Sequence, residues 1–98
     1  MSPKKIARLR QEIAALRNKG GVRGSELESV ARRVGRRLHA RGKHPTWVMK
    51  GRFPLSIPKH PGEMRRGTVK SILDHLEDDL DEIEALDDSD EGGEDVYH

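Results

Sequence analysis

The sequence predicts a small α+β domain: a three-stranded antiparallel sheet with helices packed on one face, an extra helix in front and an acidic tail behind. Three observations carry this expectation. Between residues 36 and 58, three runs alternate apolar and polar side chains, with Gly42 and Gly51 between them. Apolar stripes at helical spacing stand on both sides of those runs. The 98 residues are 33% hydrophobic and 3% aromatic against 37% charged. That composition suits one domain with a small aliphatic core and some chain outside it.

Residues 3–18 read as an amphipathic helix, with Ile6, Leu9, Ile13 and Leu16 on one stripe. Ser2 suits the cap, Pro3 the first helical position, and Asn18-Lys19-Gly20-Gly21 the stop. A second helix is expected from about 26 to 35. Ser25 and Glu28 have the spacing of a capping box, Leu27, Val30, Ala31 and Val34 form the stripe, and Gly35 marks the end. The strands are expected over 36–41, 44–50 and 53–58. Pro54 and Pro58 confine the third to an edge. A third helix is expected to be capped by Thr68 and to run about five turns through Val69, Ile72, Leu73, Leu76, Leu80, Ile83 and Leu86. From Glu77 it is acid-rich, which opposes the helix dipole and predicts fraying. Residues 87–98 read as disordered. The expected division is 1–22 as a helical extension, 23–76 as the core domain and 77–98 as an acidic extension.

Charge is segregated. All 19 Lys and Arg lie in residues 1–70, a block of net +15, while residues 71–98 carry net −13. Such a pattern fits either a basic surface for a polyanion or two faces that attract each other. There is no cysteine, so disulfides, thiolate metal sites and cysteine nucleophiles are excluded. No apolar run exceeds four residues, too short to cross a membrane. The opening Met1-Ser2-Pro3-Lys4-Lys5 has no apolar stretch of a secretory signal, and a cytoplasmic location is expected.

Three segments share a pattern with a known family: Arg41-Gly42-Lys43-His44-Pro45-Thr46-Trp47, then Ile57-Pro58-Lys59-His60-Pro61-Gly62-Glu63, then Arg66-Gly67-Thr68-Val69-Lys70-Ser71-Ile72-Leu73. In order and spacing they resemble the HicA family, small RNA-cleaving toxins of toxin–antitoxin pairs. The likeness covers about residues 25–76. It implies a fold like the double-stranded-RNA-binding domain and cleavage of mRNA independent of the ribosome. It also implies a HicB-like antitoxin as partner and a catalytic histidine that maps onto His44. The sequence departs from the family at Lys43, where the pattern has Ser.

The residues fit that chemistry. RNA supplies its own nucleophile, the 2′-OH. A ribonuclease adds a base, an acid and a cation for the phosphate, and an imidazole titrating near ~6.5 suits the first two tasks. From its neighbours alone, His44 reads either as a surface histidine or as that base. Folding back around Gly51 places residue 44 opposite 58, so His60 is either a second catalytic histidine or a loop support. His39 is phosphate-adjacent or simply solvated. Arg37, Arg41, Lys43, Lys59, Arg65, Arg66 and Lys70 are candidate phosphate contacts, joined by the helix start at Thr68. Other basic residues, Arg32, Arg33, Arg36, Lys50 and Arg52, extend the set. Trp47 either stacks on a base or belongs to the core. His39, His44 and His60 lack zinc-site spacing, and no metal or other cofactor is expected. The expected activity is a metal-independent endoribonuclease, monomeric on its own. The alternatives are a non-catalytic RNA-binding module and a protein-binding adaptor using the acidic extension.

Overall fold

The computed structural model describes residues 1–39, 45–58 and 62–97, the stretch 87–97 by backbone alone. Its elements are α1 (Pro3–Asn18), α2 (Gly24–Val34), β1 (Arg37–His39), β2 (Thr46–Val48), β3 (Leu55–Ser56) and α3 (Arg66–Tyr97). The α+β class, the leading helix and the antiparallel three-stranded sheet are those the sequence predicts.

Each helix starts and stops for a local reason. In α1 the Ser2 hydroxyl accepts from the Lys5 N–H at 3.2 Å and Pro3 opens the helix. Its stripe of Ile6, Leu9 and Ile13 is buried. α2 begins earlier than expected, and Ser25 does not cap it. The Glu26 carboxylate instead accepts from the Arg23 N–H at 2.8 Å, so the acid three residues into the helix supplies the cap that the Ser25–Glu28 spacing suggested elsewhere. Gly35 ends α2 with φ +119°, its N–H donating to the Ala31 and Arg32 carbonyls. That left-handed conformation favours glycine over any other residue.

The strands are shorter than the alternating runs. The sheet order is β1-β2-β3, with Arg37 opposite Val48, Leu38 opposite Trp47 and His39 opposite Thr46; Trp47 in turn faces Leu55 and Thr46 faces Ser56. Gly51, at φ +81°, makes the turn between β2 and β3. Pro54 and Pro58 flank β3 and limit it to two residues. Directly opposed residues share a sheet face. Leu38, Trp47 and Leu55 therefore share the inner face, where Trp47 and Leu55 are buried and Leu38 stays exposed, while Arg37, His39, Thr46, Val48 and Ser56 occupy the outer face.

α3 starts at Arg66, so Thr68 lies inside its first turn and does not cap it. Val69, Ile72, Leu73, Leu76 and Leu80 are buried, Ile83 is partly buried, and Leu86 is exposed. The helix then continues to Tyr97, where the sequence suggested a frayed end and a disordered tail. No proline interrupts it, and a helix already held by packing extends at one hydrogen bond per residue. One core joins Ile6, Leu9 and Ile13 of α1, Leu27, Val30 and Val34 of α2, Trp47 and Leu55 of the sheet, and α3 as far as Leu80. The boundaries expected at 22 and 76 thus do not divide the core. Each fully buried aliphatic side chain contributes about 1.5–3 kcal/mol to it.

Candidate nucleic-acid interface

The sheet is anchored from behind by a buried ion pair. Arg36 directly follows the Gly35 cap and turns its side chain inward, where it is 1% exposed. Its Nε donates to Asp79 Oδ2 at 2.6 Å and its Nη2 to Asp79 Oδ1 at 2.9 Å, a two-pronged contact with a fully buried carboxylate. Its Nη1 donates to the Trp47 carbonyl at 2.8 Å and the Phe53 carbonyl at 3.0 Å. Arg52 Nε adds a third donor to Asp79 at 2.8 Å. One guanidinium therefore ties α3 to β2 and to the turn before β3. Arg36 and Arg52, which the sequence grouped with phosphate contacts, are spent on this network. The Asp79 hydrogen bond holds the Arg52 guanidinium above its ordinary pKa.

Trp47 is 1% exposed, and the Arg32 guanidinium lies 5.4 Å from its ring centroid. Of the two roles open to it, core and base stacking, the core holds it here. Arg32 gains a cation–π contact from the same arrangement.

Acids of all three helices occupy further cations. Arg10 meets Asp81 at 2.8 Å and Glu84 at 3.6 Å, and Arg17 meets Asp74 at 2.7 Å and Glu77 at 3.2 Å. Both guanidinium groups are raised in pKa, chiefly by hydrogen bonds to Asp81 and Asp74 respectively. Arg33 pairs with Glu12 at 2.6 Å, and Lys19 pairs with Glu26. Part of the charge segregation is therefore two faces of one molecule attracting each other. These pairs are half-exposed and each adds about 0.2–1 kcal/mol.

Besides Arg32, the predicted contacts that hold no ion pair among the described residues are Lys50, exposed in the turn after β2, and two groups. Arg37 and His39 stand exposed on the outer sheet face, next to the hydroxyl-bearing Thr46 and Ser56. Arg65, Arg66 and Lys70 are exposed around the start of α3, with Thr68 half-buried among them. His44, His60, Arg41, Lys43 and Lys59 lie outside the described residues. The chain enters both of those segments from one end of the sheet, because His39, Thr46 and Ser56 are register partners there. Among the described residues no three His, Asp or Glu side chains group as a metal site, and no helix is long and apolar enough to cross a membrane.

The residue that sequence reasoning missed is Asp79. It sits in the buried stripe of α3 beside Leu76 and Leu80. An acid on an apolar stripe signals a buried partner, and that signal was present in the spacing. In comparisons with known protein families, with curated proteins and with solved structures, nothing matches this chain.

Proposed function

We propose that this chain binds RNA on the outer face of its sheet and cleaves it as a HicA-like ribonuclease with His44 as the general base. The observation that carries the reading is the one-sided packing of the sheet. Trp47 and Leu55 join one buried core with the three helices, and the opposite side of the sheet presents Arg37, His39, Thr46, Val48 and Ser56. A cation, an imidazole and hydroxyls on an open face suit a phosphate backbone. His39, Thr46 and Ser56 close the same end of that face, where the segments bearing His44 and His60 depart. In this reading His60 is the partner acid, and Arg41, Lys43 and Lys59 join Arg37 in holding phosphate. The resemblance adds mRNA as substrate, a HicB-like antitoxin as partner and a cytoplasmic setting.

The test is cleavage of a labelled RNA in EDTA by wild type, His44→Ala and His60→Ala. Loss of His44 should slow cleavage by about 10²–10⁴-fold, the span of general acid–base catalysis, with RNA affinity unchanged. The product should carry a 2′,3′-cyclic phosphate. Equal cleavage by wild type and His44→Ala overturns the assignment. Salt-dependent binding without cleavage in wild type favours the non-catalytic RNA-binding module instead.

A further inference from the structure

A cavity of about 610 Å³ lies between the end of α1, the α1–α2 connection and the first turns of α3. Its lining does not include the described residues of the outer sheet face. Its size falls within the range of small-molecule sites, about 300–1,000 Å³. Leu16, Val22, Met64 and Val69 give it apolar walls. The walls are tied to each other: the Met64 N–H donates to the Val22 carbonyl at 2.9 Å, and Arg23 and Glu63 form a backbone bridge.

The charged groups lining this cavity differ in what they already hold. Arg17 is occupied by Asp74 and Glu77, and Lys19 by Glu26. Arg66 and Lys70 make no ion pair among the described residues, and their spacing of four puts them on one face of α3. Glu63 also lines the cavity and holds no cation among the described residues. Its carboxylate rests against Gly21, where a Cβ would come within 2.8 Å of Oε1. Gly21 has φ +70°, so the turn requires glycine for its conformation, and the absent side chain makes room for the acid.

We infer that this cavity is a nucleotide seat: Arg66 and Lys70 take the phosphate, the apolar walls take the base, and Glu63 reads the base edge. A carboxylate only accepts hydrogen bonds, through two oxygens side by side. Guanine offers two adjacent donors, N1–H and the N2 amine, that meet both oxygens. Adenine and cytosine each present one amine beside an acceptor, and uracil presents one N–H between two acceptors. The preferred ligand is therefore a guanosine phosphate, as a free mononucleotide or as one residue of an RNA strand. None of the described outer-face residues lines this cavity, and the nucleotide test does not depend on cleavage.

Titration of the full chain with guanosine 5′-monophosphate, followed by amide NMR shifts, tests the inference. Saturable shifts are expected at Val22, Glu63, Met64 and Val69, and equally in His44→Ala. Inorganic phosphate and guanosine should each bind at least about tenfold more weakly, since each lacks half of the contacts. The exposed pair Arg66→Gln with Lys70→Gln should weaken binding about tenfold or more with an unchanged circular-dichroism spectrum. Glu63→Ala should erase the preference for guanosine over uridine monophosphate while keeping phosphate-dependent binding. A short guanosine-containing RNA that shifts the same amides and competes with the mononucleotide would assign the site to the strand; an RNA that does not compete would assign it to the free nucleotide. No saturable shift at these residues, equal affinity for inorganic phosphate, or unchanged affinity in the double variant overturns the proposal.

Discussion

Replacing Asp79 tests the claim that one buried ion pair holds the sheet on the helices. Asp79→Ala removes three donor contacts at 2.6–2.9 Å and leaves the Arg36 guanidinium 1% exposed, with only the Trp47 and Phe53 carbonyls as acceptors. Breaking a buried pair from one side costs about 3–5 kcal/mol, because the remaining charge stays desolvated. Domains of this size are stable by about 5–15 kcal/mol, so the loss is a large part of the total. With a urea slope of about 1.5 kcal/mol/M, a loss of about 4 kcal/mol lowers the midpoint by about 2.7 M. The assay is urea unfolding followed by helical circular dichroism. Arg52→Ala should cost only about 1 kcal/mol, because that side chain is 24% exposed and Asp79 keeps its stronger partner. The double replacement Arg36→Met with Asp79→Leu should fall between wild type and Asp79→Ala. It removes the buried charges but strands two carbonyl acceptors, one of them on Trp47. If Asp79→Ala unfolds within about 1 kcal/mol of wild type at the same slope, the network does not anchor the sheet and the reasoning fails.

Three further outcomes follow from the same packing. Trp47→Ala should cost about 3–5 kcal/mol in the urea assay, as expected for a large ring removed from a closed core. A chain ending at Leu86 should keep its fold to within about 0.5 kcal/mol, whereas one ending at Leu76 loses Asp79 and Leu80 and should show no cooperative unfolding. Lys19 and the Arg23 N–H hold the Glu26 carboxyl below its ordinary value of 4.5, Lys19 foremost. The unfolded chain therefore takes up this proton first, so the contribution is complete well above 4.5 and is lost as pH falls from there through the lower folded value. Stability measured from neutral to acid pH should show wild type and Glu26→Gln converging below that point, and a constant gap would contradict the pairing.

The elements were legible where the local signal and the tertiary demand agree. Ile6, Leu9 and Ile13 mark α1 by spacing and are buried as expected, and Gly35 ends α2 because only a left-handed residue closes it there. The sequence misled where two local signals compete. Ser25–Glu28 and Arg23–Glu26 both place an acid near a helix start, and the latter won. Thr68 was a good cap, yet Arg66 and Gly67 join the helix before it. Strand lengths were overestimated because alternation persists in Phe53 and Pro58, outside the two residues that pair as β3. Of the candidate site, Arg37 and His39 stand where alternation put them. Arg36 did not: its neighbours made it look like one of a cluster of surface cations, and only Asp79, 43 residues later, turns it inward.

The acidic block looks different once its carboxylates are assigned. A −13 segment beside a +15 one reads as a competitor for any RNA surface. In the folded chain Asp74, Glu77, Asp81 and Glu84 face Arg17 and Arg10 of α1, and Asp79 is buried with Arg36 and Arg52. None of these acids pairs with Arg37 or with Arg66 and Lys70 among the described residues. The middle of α3 thus balances the cations of α1 and the core, and leaves the two exposed basic groups for a ligand. Competition with RNA is then left to Asp78, Glu82 and the carboxylates after Leu86, and an unbroken helix carries 87–97 about 16 Å beyond that residue. A tail that stays helical keeps that fixed reach, whereas an unwound one spans up to about 3.3–3.6 Å per residue. The reach of its carboxylates therefore depends on whether the helix holds, and the charge pattern alone does not decide that.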